Sequence, residues 1–155
     1  MKNRTESRPH ILIVEDNPGD QRLIREAFQD TQRALETAVA KDGVEALDYL
    51  FRRGAFAGAA RPDLVLLDLN LPRKSGREVL AEIKSDPDLK NIPVVIFSSS
   101  SAPGDVSSAY SLHANCYVTK PADLDELFQT IASIEKFWLS TAILPKPSAT
   151  LSATV

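Results

Sequence analysis

The sequence predicts an α/β fold: one parallel sheet of five strands with helices on both faces. Three observations carry that prediction. Short unbroken apolar runs, such as Leu64-Val65-Leu66-Leu67 and Pro93-Val94-Val95-Ile96-Phe97, suit strands buried on both faces. These runs alternate with segments whose apolar residues recur at helical spacing, the pattern of repeated β-α units. Polar residues able to do chemistry (Glu15-Asp16, Asp68, Ser98 and Lys120) stand where four of the runs end, and open α/β sheets place their ligands at that edge. With 155 residues the chain is long enough for one domain with a sizeable core, but not comfortably for two.

The elements follow in order. Residues 1–9 form a polar leader, expected to be flexible. The first strand covers residues 10–14 and runs into Glu15-Asp16. Asn17-Pro18 opens a helix, with Asn as cap and Pro where its missing N–H is harmless. Leu23, Ile24, Ala27 and Phe28 give that helix one apolar face. Residues 35–40 are more polar and suit an edge strand. A second helix is expected over 42–53, from Val44, Leu47, Tyr49, Leu50 and Phe51. The small residues of 54–61 make a loop. The third strand ends at Asp68, Pro72 marks the loop after it, and a helix runs from Gly76 to about Lys84. Residues 85–92 are a polar connection broken by Pro87. The fourth strand, 93–97, leads into Ser98 to Ser101. The helix expected over 103–112 is poorly patterned and should be the least stable. The fifth strand, 115–119, ends at Lys120-Pro121, where a cis peptide would aim the lysine into a pocket. A last helix opens near Asp123 and keeps its apolar spacing through Leu124, Leu127, Phe128, Ile131, Ile134 and Trp138. Short loops and right-handed crossovers then favour a flavodoxin-like, doubly wound sheet of order 2-1-3-4-5. That order puts strands 1 and 3 side by side, so Glu15, Asp16 and Asp68 converge.

Composition narrows the function. Charged residues are 25% and hydrophobic ones 43%, as in ordinary soluble proteins. A net charge of -3 supplies no basic field for nucleic acid. No apolar stretch approaches the roughly 20 residues that span a bilayer, and nothing reads as a signal peptide, so a cytoplasmic protein is expected. Cys116 is the single cysteine and is expected to be a small core residue; His10 and His113 are not spaced as metal ligands. Arg73 and Lys74 flank Asp68 in sequence and are expected to be a solvated pair.

Three acids in one pocket repel one another and call for a cation. Carboxylates plus a carbonyl, without a His or Cys cluster, specify a hard, oxygen-loving metal; Mg²⁺ fits, and Mn²⁺ or Ca²⁺ could substitute in a crystal. A hydroxyl (Ser98) and an ammonium (Lys120) on the same rim make a clamp for phosphoryl oxygens. Asp68 is then the in-line nucleophile, and the product an aspartyl phosphate.

With Glu15-Asp16, Asp68-Leu69-Asn70-Leu71-Pro72, Gly76, Ser98 and Lys120-Pro121 in this order, the sequence resembles the receiver domain of two-component response regulators, over roughly residues 10–134. The resemblance implies Asp68 as acceptor of a phosphoryl group from a histidine kinase. It implies Glu15, Asp16, Asp68 and the Asn70 backbone carbonyl as Mg²⁺ ligands, Ser98 and Lys120 as phosphate sensors, and Tyr117 as the aromatic switch. In that family the hydroxyl moves toward the phosphate and the aromatic ring turns inward, shifting the surface of helix 4, strand 5 and helix 5. Such a protein is no enzyme in the usual sense, catalysing only its own phosphotransfer and autodephosphorylation. Glu15 stands where Asp is commoner and Ser98 where Thr is commoner; both keep the needed functional group.

The chain divides into the leader, a receiver domain over 10–136 and an arm over 137–155 with no separate output domain. The signal is therefore expected to pass by protein contact to a phosphotransfer or effector protein, without direct DNA binding. The loop at 54–60 and the arm are similar to stand-alone regulators that partner bacterial phytochrome kinases. Phe137, Trp138, Leu139, Ile143 and Leu144 are costly to leave in water, and a homodimer gripped through this arm is expected to cover them. From Lys146 onward a frayed tail is expected. One rival is a haloacid dehalogenase-type phosphatase, but that chemistry needs a proton-exchanging Asp where Asn70 stands. The other is a receiver that only binds partners.

Overall fold

The computed structural model describes residues 8–145; most of the expected leader, and the tail from Lys146, lie outside the described residues. Strands β1 (His10–Val14), β2 (Glu36–Ala40), β3 (Leu64–Leu67), β4 (Val94–Ser98) and β5 (Cys116–Thr119) form one parallel sheet in the order β2-β1-β3-β4-β5. Helices α1 (Pro18–Asp30), α2 (Gly43–Leu50), α3 (Gly76–Ser85), α4 (Pro103–Ser111) and α5 (Leu124–Lys136) connect them. The expected flavodoxin-like order is the one observed.

Alternation along each strand divides the core into two layers. Leu12, Val14, Val65, Leu67 and Ile96 face Ala46, Leu47, Val79, Leu80 and Ile83 of α2 and α3. Ile11, Ile13, Leu64, Leu66, Val95 and Phe97 face Ile24, Ala27 and Phe28 of α1 and Leu127, Ile131 and Ile134 of α5. All four residues of β3 are buried, as befits the middle of the sheet.

Local chemistry sets the boundaries. Asn17 caps α1, accepting from the Asp20 amide at 2.9 Å. Asp42 caps α2 rather than belonging to it, and that helix stops at Leu50, short of the expected Arg53, because Arg52 enters the left-handed region (φ 56°). Within the expected loop, residues Gly54–Phe56 make one 3₁₀ turn, and the Phe56 ring packs on Tyr49 with centroids 5.5 Å apart. Ser75 and Glu78 form a reciprocal capping box at the start of α3. Helix α4 buries only Ala109 and has no side-chain cap, which matches its weak patterning.

The end of the chain differs from the spacing argument. Helix α5 stops at Lys136, and residues Phe137–Thr141 widen into a π-helical turn. Arg33, just beyond α1, pairs with Glu135 at 3.2 Å and also donates to the Leu139 carbonyl. Trp138 and Leu139 lie half-buried against the α1/α5 layer of their own domain, while Phe137 (51% exposed) and Ile143 (99% exposed) are exposed. Cys116 is half-buried rather than buried, since β5 is a sheet edge. Among the described residues no helix is long and apolar enough to cross a membrane.

Candidate functional site

The sheet ladders extend one step past the strand ends and hold the polar residues on a single rim. The Glu15 amide donates to the Ala40 carbonyl (3.0 Å), the Asp68 amide to Val14 (3.1 Å) and the Lys120 amide to Ser98 (2.7 Å). Each residue after a strand is thus held by the neighbouring strand, and its side chain rises above the sheet's carboxyl edge. Carboxylate oxygens of Glu15, Asp16 and Asp68 lie within 4.8 Å of one another.

Lys120 is the counter-ion of this cluster. Its Nζ stands 2.7 Å from Glu15 Oε1, 3.3 Å from Asp68 Oδ2 and 3.3 Å from Asp20 Oδ2. Burial alone would lower the lysine pKa, but the hydrogen bond to Glu15 and the charges of Asp68, Glu15 and Asp20 outweigh it and raise the pKa above its ordinary value. Glu15 is pushed up, chiefly by burial, against the opposing pull of Lys120 and of the Asn17 amide. The Lys120-Pro121 bond is trans, contrary to expectation; the lysine side chain meets the acids from that geometry.

Asp68 is buried, and its Oδ1 accepts the Asn70 amide at 3.2 Å, folding the loop back on the carboxylate. Asn70 itself is exposed, as is Asp16. Ser98 is fully buried at the end of β4, and its Oγ accepts the Ser100 amide at 3.2 Å. Tyr117, on β5, is half-buried against the α2/α3 layer, and its hydroxyl donates to the Ser100 carbonyl at 2.8 Å. The structure therefore brings Glu15, Asp16, Asp68, Lys120 and Ser98 to one rim, with Tyr117 beside the loop that follows Ser98. Arg73 and Lys74 do not face the cluster: they meet Asp42 (3.6 Å) and Glu82 instead.

Sequence reasoning missed three contributors, Asp20, Gln21 and Gly43, and named Gly76 without the physical reason for it. Asp20 sits in the first turn of α1 and joins the Lys120 cluster; its signal was its place one helical turn after Asp16. Gln21 Nε2 donates to the Glu15 carbonyl at 2.7 Å. Gly76 and Gly43 are needed for close approach: a Cβ at Gly76 would come 2.2 Å from the Asp68 carbonyl oxygen, and one at Gly43 2.0 Å from that of Lys74. Beside the rim, between α1 and α5, opens a cavity of about 340 Å³, lined by Asp20, Leu23, Ser99, Lys120, Pro121 and Leu124 among others.

A cluster of three carboxylates with one resident ammonium, all oxygen donors, fits a hard divalent ion. A divalent ion would be held by Glu15, Asp16 and Asp68, where it would neutralise anionic oxygens. The ion does not account for Ser98 and Lys120, a hydroxyl and an ammonium that suit further anionic oxygens.

Comparison with known proteins agrees with this geometry. Residues 11–132 match the response regulator receiver domain. Response regulator Rcp1 of Synechocystis sp. is 48% identical over 135 residues, spanning 87% of this chain and 92% of Rcp1. The crystal structure of the phosphorylated cyanobacterial phytochrome response regulator RcpA superposes with a TM-score of 0.87 at 55% identity, covering 90% of this chain and 100% of RcpA. The Mn²⁺-bound form of Rcp1 superposes with a TM-score of 0.84 at 47% identity, covering 89% of this chain and 99% of that one.

Proposed function

The chain belongs to the response regulator receiver family, and we propose that it is a phosphorylation switch in which Asp68 accepts a phosphoryl group from a phytochrome-type histidine kinase. The observation that carries this reading is the placement of Asp68: a buried carboxylate 3.3 Å from the Lys120 ammonium, with Glu15 and Asp16 completing an acidic cluster. An Asp68 oxygen attacks phosphorus in line as the bond to the donor histidine nitrogen breaks, giving the aspartyl phosphate. The charged Lys120 compensates the negative phosphoryl oxygens, and the Ser98 hydroxyl donates to one of them. Asn70, unable to exchange a proton, leaves the aspartyl phosphate without a general base at that position. Release of phosphate is therefore slow autodephosphorylation rather than turnover, which disfavours the haloacid dehalogenase-like phosphatase reading.

Mg²⁺ is the resident ion in this reading, held by Glu15, Asp16, Asp68 and the Asn70 carbonyl. The binding of Mn²⁺ by Rcp1 supports a divalent site in the same place. The donor approaches over the cavity between α1 and α5. The readout is the α4-β5-α5 surface, where Ser98 and Tyr117 both touch Ser100. A downstream phosphotransfer or effector protein reads that surface by contact, without direct DNA binding. The test is labelling by radioactive acetyl phosphate or by a phytochrome-class kinase: it should need Mg²⁺ and vanish in Asp68→Asn. Labelling that survives the substitution would sink the site assignment, and acetyl phosphate labelling without transfer from phytochrome kinases would overturn the choice of partner.

The arm supports a homodimer. Phe137 and Ile143 are exposed, Leu144 is half-buried, and Trp138 is in edge-on contact with the Phe137 ring at 5.0 Å. Sedimentation at micromolar concentration should give a dimer that truncation after Lys136 converts to monomer. A wild-type monomer would refute the pairing.

A further inference from the structure

Three elements meet in a hydrogen-bonded cluster that the phosphoryl-accepting chemistry does not itself require. Arg77, in the first turn of α3, reaches to α4: its terminal nitrogen pairs with Asp105 Oδ1, and its Nε donates to Ser108 Oγ at 3.2 Å. The second Asp105 oxygen accepts the Ser100 hydroxyl at 2.5 Å. Ser100 is thus held at three points. Its hydroxyl goes to Asp105, its amide to Ser98 Oγ (3.2 Å), and its carbonyl accepts the Tyr117 hydroxyl (2.8 Å).

We infer that Arg77 and Asp105 are positioning residues for the phosphoryl-sensing hydroxyl, acting through Ser100. The Ser100 amide occupies one lone pair of Ser98 Oγ, which leaves the Ser98 proton free to be donated toward a group on Asp68. The same Ser100 carbonyl holds the Tyr117 ring against the core. Without the Arg77–Asp105 pair nothing in this cluster anchors the Ser100 hydroxyl to α3, the helix that begins against the Asp68 backbone at Gly76. The pair therefore ties the loop after β4 to the element that packs on the acceptor, and it favours the arrangement in which Ser98 and Tyr117 are set for a phosphoryl group. The inference rests on Asp68 being the acceptor.

The experiment is titration calorimetry of the full chain with beryllofluoride and Mg²⁺, a stable mimic of the phosphoryl group. Asp105→Ala and Arg77→Ala should each weaken beryllofluoride binding about fivefold, the size of effect a half-exposed ion pair supports. The double variant should be no weaker than either single one, and the charge exchange Arg77→Asp with Asp105→Arg should recover part of the loss. Binding of Mg²⁺ alone should stay within twofold of wild type, a readout that general damage to the fold would move. Unchanged beryllofluoride affinity in both single variants, or a parallel loss of Mg²⁺ binding, would overturn the role. Failure of wild type to bind beryllofluoride any better than Asp68→Asn would instead overturn the acceptor reading beneath it.

Discussion

Gly76 shows how closely one residue can govern the position of Asp68. It begins α3, its amide donates to the Leu69 carbonyl at 2.9 Å, and the space where a Cβ would stand is taken by the Asp68 carbonyl oxygen 2.2 Å away. The obstruction is backbone, which cannot swing aside as a side chain could. Gly76→Ala should therefore push the loop off Asp68, destabilising the fold by about 1–3 kcal/mol as overpacking does. It should also slow Mg²⁺-dependent labelling by on the order of tenfold, because in-line attack tolerates little displacement. Gly104 is the control: in the first turn of α4, a Cβ there meets nothing within 4 Å. Gly104→Ala should leave both urea unfolding and labelling near wild type. Equal effects at the two glycines would show that the close approach does not matter. In the sequence, Gly76 was legible as a loop, helix-start and motif residue, but its close approach was not, since a backbone-to-backbone contact leaves no mark on spacing or hydropathy. Asp20 was hidden for a related reason: its partner, Lys120, is 100 residues away.

At the scale of elements, the far end of the sheet is pinned by a lysine. Lys84, at the end of α3, donates from Nζ to the carbonyls of Lys90 (3.0 Å) and Ile92 (2.9 Å) and to Asn115 Oδ1 (2.9 Å). The same Asn115 oxygen accepts the Val94 amide at 2.8 Å. One ammonium thus closes the α3–β4 connection and joins the beginnings of β4 and β5. Burial lowers its pKa to about 8 from the ordinary 10.5. Between those two values the unfolded chain binds more protons than the folded one, so stability rises with pH there. Below about pH 8 both states are charged and the desolvation penalty is fully present. Urea unfolding of wild type, referenced to Lys84→Gln, should show a stability difference that grows from pH 8 to about 10.5; a flat or falling difference would contradict the depressed pKa. Strands and helices were readable because their burial follows local periodicity: β3 and β4 are continuous apolar runs, and α1 and α3 carry one apolar face each. The π-helical turn after α5 was not readable. The spacing of Ile131, Ile134 and Trp138 continues smoothly past Lys136, and only the contacts of Arg33 with Glu135 and Leu139, from the other end of α1, fix where the helix gives way.

Over the whole molecule, folding gathers charge that the unfolded chain keeps apart. Glu15, Asp16, Asp20 and Asp68 come from β1, α1 and β3, and the nearby ammonium is that of Lys120 after β5. Four carboxylates around one cation leave a site that a divalent ion completes, and the site exists only when the five-stranded order is formed. An ion that binds the folded state alone stabilises it by mass action, about 2.7 kcal/mol at one hundred times its dissociation constant. For a domain of this size each kcal/mol moves the melting temperature by roughly 2–4 °C, so saturating Mg²⁺ should raise it by about 5–10 °C. Removing Mg²⁺ with a chelator should reverse the shift. Asp16→Asn takes away an exposed carboxylate of the cluster and with it some repulsion, so the variant should melt at or above the metal-free wild type and respond far less to Mg²⁺. That relief of repulsion raises the metal-free baseline and is no effect of the ion; the informative quantity is the Mg²⁺-induced shift. Calorimetry at several Mg²⁺ concentrations separates the two, since a mass-action effect keeps growing with the logarithm of free ion while a baseline change does not. A wild-type melting temperature indifferent to Mg²⁺ would mean that Lys120 alone satisfies the cluster and that the rim is not a metal site.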